Sequence, residues 1–137
     1  MRQFQTIIKP GNIVEKLVKN SWVYHVISKE DVKLQDEQLD LFNLEFRPTW
    51  INKKNLNLIN FEFITFIQQH EASYYEEYEM VHQRKLYTLQ IWFEIKNGIE
   101  NVTYKLMCNL DSLCSRKNTK NLYLHDIQNL IDLYEND

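Results

Sequence analysis

Glycine is close to absent from this chain, with Gly11 and Gly98 the two examples in 137 residues. A phosphate-cradling loop needs several glycines close together, so that the backbone can approach its ligand. With these two so far apart, G-x-G-x-x-G, G-x-x-x-x-G-K-[ST] and G-x-S-x-G do not occur, and the chemistries built on those loops are excluded. Alanine occurs once, as Ala72, and proline twice. These three residue types have GC-rich codons, whereas the abundant Asn, Lys, Ile, Leu, Tyr and Phe include many AT-rich ones. The expected source is an AT-rich genome: a low-GC bacterium, a phage or mobile element, or a virus.

Cysteine is scarce too. Cys108 and Cys114 cannot form a disulfide framework, and C-x5-C is not a common zinc spacing. Reduced thiols and a cytoplasmic location are expected, and the sequon Asn101-Val102-Thr103 is read as chance. A long apolar run is missing, and Lys9, Pro10 and Glu15 interrupt the start of the chain. Neither a transmembrane helix, a membrane partner nor a signal peptide is therefore expected. Basic excess is also missing: 16 Lys and Arg face 19 Asp and Glu, for a net charge of −3. Duplex binders draw most non-specific affinity from phosphate neutralisation, so general nucleic-acid binding is not expected. Lys53-Lys54 and the Arg116, Lys117, Lys120 group read as solvated loops.

What the chain does have is bulk. Hydrophobic residues make up 44% and aromatic residues 13%, which argues against disorder. A chain of this length buries about 65–70% of its unfolded surface and needs neither disulfide nor metal to fold. One globular domain over residues 1–137 is expected.

Residues 3–8 read as a short strand ended by Pro10-Gly11. Asn12 and Glu15 fit a capping box, which predicts a helix to Asn20 with Ile13 and Leu17 on one stripe. Residues 21–28 read as a strand, and Ser28 can cap a short helix with Glu30 and Asp31 in its first turn. Alternation of Phe42, Leu44 and Phe46 predicts a strand ended by Arg47-Pro48, followed by a loop holding Trp50. Residues 56–67 alternate again and are read as a strand, rather than a helix, pairing with 41–46. A second capping-box pair, Ser73 and Glu76, with Tyr74, Tyr78 and Val81 as a stripe and Arg84 and Lys85 at the far end, predicts a helix over 72–85. Residues 87–95 and 102–108 alternate cleanly about Asn97-Gly98, a β-hairpin signal. A polar stretch, 111–121, leads to a last helix capped by Asp126, with Ile127, Leu130, Ile131 and Tyr134 on one face. The expected fold is α+β: a mainly antiparallel sheet of about four to five strands, with three to four helices packed on one side.

The densest chemistry lies between His70 and His82. Glu79 and His82 have the Glu-x-x-His spacing of a di-iron helix, but neither His25 nor His125 supplies a second such pair. H-E-x-x-H fails because Tyr74 stands where the second His is required. No metal and no cofactor is expected. Nothing marks a Ser or Cys nucleophile, and Cys108, alternating with Leu106 and Tyr104, reads as core. Glu94-Ile95-Lys96 has the E-x-K pattern of restriction-type nucleases, in which a carboxylate holds Mg²⁺ and the lysine assists the attacking water. With Glu77 or Glu79 as the upstream acid, a metal-dependent nuclease using Glu79, Glu94 and Lys96 is one alternative. A viral or phage structural subunit is another.

The favoured expectation is a surface. Tyr74, Tyr75 and Tyr78 interleave with Glu76, Glu77 and Glu79, with Glu71 close by. Tyrosine gives contact area at low entropic cost, and clustered carboxylates speed encounter with a basic partner. The chain is expected to be a small, non-enzymatic binding or inhibitor protein (immunity-type, anti-defence, or a phage or plasmid accessory factor) that covers a basic protein with these six residues.

Overall fold

The computed structural model describes residues 2–4, 6–109, 111–117 (as backbone) and 122–135. Its elements run β1 (Ile13–Val18), β2 (Ser21–Val26), α1 (Lys29–Glu37), α2 (Leu39–Glu45), β3 (Phe46–Arg47), α3 (Lys53–Asn57), β4 (Glu62–His70), β5 (Ser73–His82), β6 (Lys85–Lys96), β7 (Ile99–Cys108), β8 (Asp111–Lys117) and α4 (Leu124–Glu135). The fold is α+β and every strand pairing among the described residues is antiparallel. The strands divide between a three-stranded sheet, β2-β1-β3, and a five-stranded meander, β4-β5-β6-β7-β8. The chain forms two compact units: Met1–Ile51 with Leu122–Asp137, and Asn52–Asn121.

In the first unit, the helix expected from Asn12 to Asn20 is instead strand β1. Ile13, Val14 and Val18 are β-branched and lose χ1 freedom in a helix. The Asn12 side chain does not cap a helix; it accepts the Lys9 N–H at 2.8 Å. This closes a turn in which Pro10 and Gly11, at φ 94°, occupy the two central positions of a type II turn. The described residues of the 3–8 segment form no strand, and two of their backbone groups bond to side chains instead. The Ile8 N–H donates to Gln35 and the Ile7 carbonyl accepts from Asn129.

The strand expected over 41–46 is the helix α2, leading into the short β3. Phe42 and Phe46 are buried and stack 4.7 Å apart, while Leu44 is 70% exposed. The shared face therefore follows i, i+4 and not i, i+2. Ser28 caps α1 as expected, in a capping box with Asp31. At α4, Asp126 lies inside the first turn rather than at the cap, and accepts the Tyr123 N–H at 2.8 Å. Ile8, Val14, Ile27, Phe42 and Phe46 form the core of this unit.

In the second unit, Asn52 caps α3, and Leu56, Ile59 and Phe61 are buried ahead of β4. The residue 56–67 strand thus begins later, at Glu62, and its partner is β5, not 41–46. The helix expected over 72–85 is the strand β5, aligned with β6 without interruption from Ser73↔Glu94 to His82↔Lys85. Tyrosine and valine suit a pleated surface, and two flanking ladders outweigh charges placed as if for a helix dipole. The β6–β7 hairpin matches expectation, with Asn97 and Gly98 both at positive φ in a two-residue turn. The same turn geometry recurs without glycine at Lys19-Asn20 and Gln83-Arg84. Part of the expected polar connection is strand β8; residues 118–121, with Lys120, lie outside the described residues. Cys108 is buried, in line with a core role.

Two outcomes test this packing. Phe42→Ala should cost about 3–5 kcal/mol by urea unfolding, and Leu44→Ala less than about 0.5 kcal/mol; a strand would make the pair comparable. His125 is fully buried; its Nε2 meets Thr6 Oγ1 at 2.9 Å, and its Nδ1 has no partner among the described residues. Burial holds its pKa below the ordinary 6.5, so acidification loads a proton on the unfolded chain first. Stability present above that pH should fall as pH drops through it, and His125→Leu should flatten the dependence of the urea midpoint between about pH 7 and 5.

Candidate functional site: an acidic aromatic sheet surface

Strand alternation divides the six expected contact residues between two faces. Tyr74, Glu76 and Tyr78 align with Phe93, Ile91 and Leu89 of β6; Tyr75, Glu77 and Glu79 align with Trp92, Gln90 and Thr88 on the other side. They are not one helical surface, because β5 is the second strand of a sheet. Tyr78 is also buried, and the other five are partly buried.

On the first face Tyr74 stacks on Phe93 at 4.4 Å and meets Phe66 of β4 at 5.3 Å. Tyr78 sits edge-on to Phe63 and donates its hydroxyl to Glu76 Oε2 at 2.5 Å. Tyr104 of β7 aligns with Ile91 and so shares this face. Burial, then Glu100, Tyr74 and Glu76, push its phenol up to about 12. Burial followed by Glu76 raises Tyr74 and Tyr78 as well. On the second face Tyr75 donates to Glu77 Oε1 at 2.6 Å, and Gln90 Nε2 donates to the same oxygen at 3.1 Å. Tyr75 also lies tilted against Trp92, at 5.1 Å. Burial, then Glu77, raises the Tyr75 phenol. Each of these carboxylates thus holds a neutral tyrosine beside it; the edge strand β4 exposes Ile64, Phe66 and Ile67, and the ends of β6 and β7 expose Ile95 and Ile99.

The charge is one-sided. Residues 62–82, which form β4, β5 and their turn, carry Glu62, Glu71, Glu76, Glu77 and Glu79 and no Lys or Arg. The rest of the chain has a slight cationic excess.

The nuclease set is not brought together. Glu94 and Lys96 are exposed at the end of β6, whereas Glu79 aligns with Thr88, six residues or about 20 Å further along that strand. Glu77 aligns with Gln90, about 13 Å from Glu94 by the same rise. Glu79 and His82, three apart on a strand, point to opposite faces. Among the described residues no group of three or more His, Cys, Asp or Glu could hold a metal ion.

Phe66, Gln90, Trp92, Phe93 and Tyr104 belong to this surface but were not foreseen in it. Alternation along β6 already separated Trp92 from Phe93; the missing information was that β5 lies beside them. No protein-family model matches this chain, and neither a curated protein nor a solved structure does.

An alkaline titration followed by phenolate absorbance should leave Tyr75, Tyr78 and Tyr104 protonated well past the ordinary 10.0. Glu76→Gln removes the charge that disfavours phenolate, so the last-titrating fraction should move to lower pH.

Proposed function

We propose that this chain is a non-enzymatic protein-binding module that captures a basic partner through the β4–β5 hairpin and the aromatic surface around it. The observation that carries the reading is five carboxylates without a Lys or Arg on one hairpin, interleaved with partly exposed aromatic rings. Arginine and lysine bind both features at once: the head group pairs with carboxylate while the cation or stem lies on a ring face. Tyrosines held neutral beside the carboxylates add area and hydroxyls without adding charge. One-sided charge also speeds encounter and turns away acidic competitors. Covering a basic protein is the action of an inhibitor or immunity-type factor, and no helix among the described residues is long and apolar enough to cross a membrane.

Glu62 and Glu71 are exposed and Glu79 is partly so, which makes them safe to reverse. With Glu62→Lys, Glu71→Lys and Glu79→Lys together, capture of a basic protein from the native host should weaken by about 1.4 kcal/mol or more, a factor of ten, with circular dichroism unchanged. Wild-type capture should also fall steeply with salt. Capture indifferent to both the reversal and salt would remove this reading.

A further inference from the structure

The first unit holds a feature of opposite charge. A cleft of about 510 Å³ is lined by Arg2, Trp22, Asn43, Leu44, Arg47 and Trp50. Its size falls within the range of about 300–1,000 Å³ typical of small-molecule sites. Strand pairing builds one wall: Arg47 of β3 aligns with Glu15 of β1, and its guanidinium lies 4.3 Å over the Trp22 ring of β2. The segment after β3 brings Trp50, held by a bridge to Tyr123, beneath the Arg2 guanidinium at 4.8 Å. Helix α2 adds Leu44 and Asn43.

Glu15 holds both arginines. Its Oε1 accepts from Arg47 at 2.8–2.9 Å and its Oε2 from Arg2 at 3.3 Å. One carboxylate against two guanidiniums leaves a positive charge in the cleft, and each guanidinium has five N–H donors. The aromatic wall is open, with Trp50 46% exposed. Asn43 Oδ1 is a buried acceptor with no donor among the described residues.

We propose that this cleft binds a purine nucleotide. A flat, polarisable base suits two tryptophans, and a phosphate suits the unbalanced guanidinium, for which arginine's planar fork is adapted. A purine's two fused rings offer more area to stack on an indole than a pyrimidine's single ring. No glycine-rich loop is needed, because the anion is met by side chains rather than by backbone N–H groups. A free nucleotide and the terminal nucleotide of a single strand present the same chemistry, and the test separates them.

A Trp92→Phe background leaves Trp22 and Trp50 as the fluorophores. Adenosine monophosphate should quench them saturably, with adenosine, uridine monophosphate and inorganic phosphate each weaker by about tenfold or more. Arg47→Gln should weaken binding. Glu15→Gln should tighten it several-fold by unmasking positive charge, an effect that a purely structural role for this ion cluster would not produce. Tighter binding of a 5′-phosphorylated oligo-dA than of the free nucleotide would identify a strand end as the ligand; the reverse order would identify the free nucleotide. No saturable quenching by either probe, or Glu15→Gln weakening binding in a folded protein, would overturn the proposal.

Discussion

The alignment of β5 on β6 is the constraint on which the second unit rests. Ten consecutive residue pairs place Tyr78, Met80, Tyr87, Leu89 and Ile91 together on the buried side. A slip of β5 by one residue would send Tyr78 and Met80 to the opposite face and bring the Glu77 and Glu79 side chains inward. The same alignment fixes the Tyr74–Phe93 stack and the Tyr75–Glu77–Gln90 bonds. The interior therefore sets the outer surface: the hydrophobic face specifies the register, and the register specifies which carboxylate meets which tyrosine.

The first unit depends in a comparable way on one carboxylate. Glu15 is 13% exposed and reaches Arg2 from the start of the chain and Arg47 from β3. Removing one member of such a half-buried group leaves charges without partners, which costs more than the pair itself contributes. The indole rings beneath both guanidiniums offset part of their lost hydration.

Elements with one consistent signal were legible in the sequence. The β6–β7 hairpin combines strict alternation with Asn-Gly, and α1 has Ser28 as a cap with Glu30 and Asp31 in its first turn. Where two periods fitted the same residues, local reading failed. Phe42, Leu44 and Phe46 satisfy both alternation and, through Phe42 and Phe46, the helical i, i+4. Tyr74, Tyr78 and Val81 fit a helical stripe, and Ser73, Glu76, Arg84 and Lys85 imitate helix ends. The ladder bonds to β4 and β6 decide the matter for β5, and those are tertiary. The six residues from Tyr74 to Glu79 follow one another along β5, and strand alternation, which depends on β5 being a strand, divides them between two faces. The Arg–Trp cleft had no local signature, since positions 2, 22, 43, 47 and 50 meet through sheet pairing and helix packing.

The near-absence of glycine has a cost at the hairpin ends. Lys19, Gln83 and Arg84 all occupy the left-handed region, where an ordinary L-residue is worse off by about 1–2 kcal/mol. Turns of this kind oppose closure instead of promoting it. The β1–β2 and β5–β6 hairpins are thus held shut by their strands, and their formation must wait until side chains on both arms have met. Chain reversal at Asn97-Gly98 carries no such penalty, which makes the β6–β7 pair the natural seed from which the meander zips outward, with β5 and then β4 added to an edge that already exists.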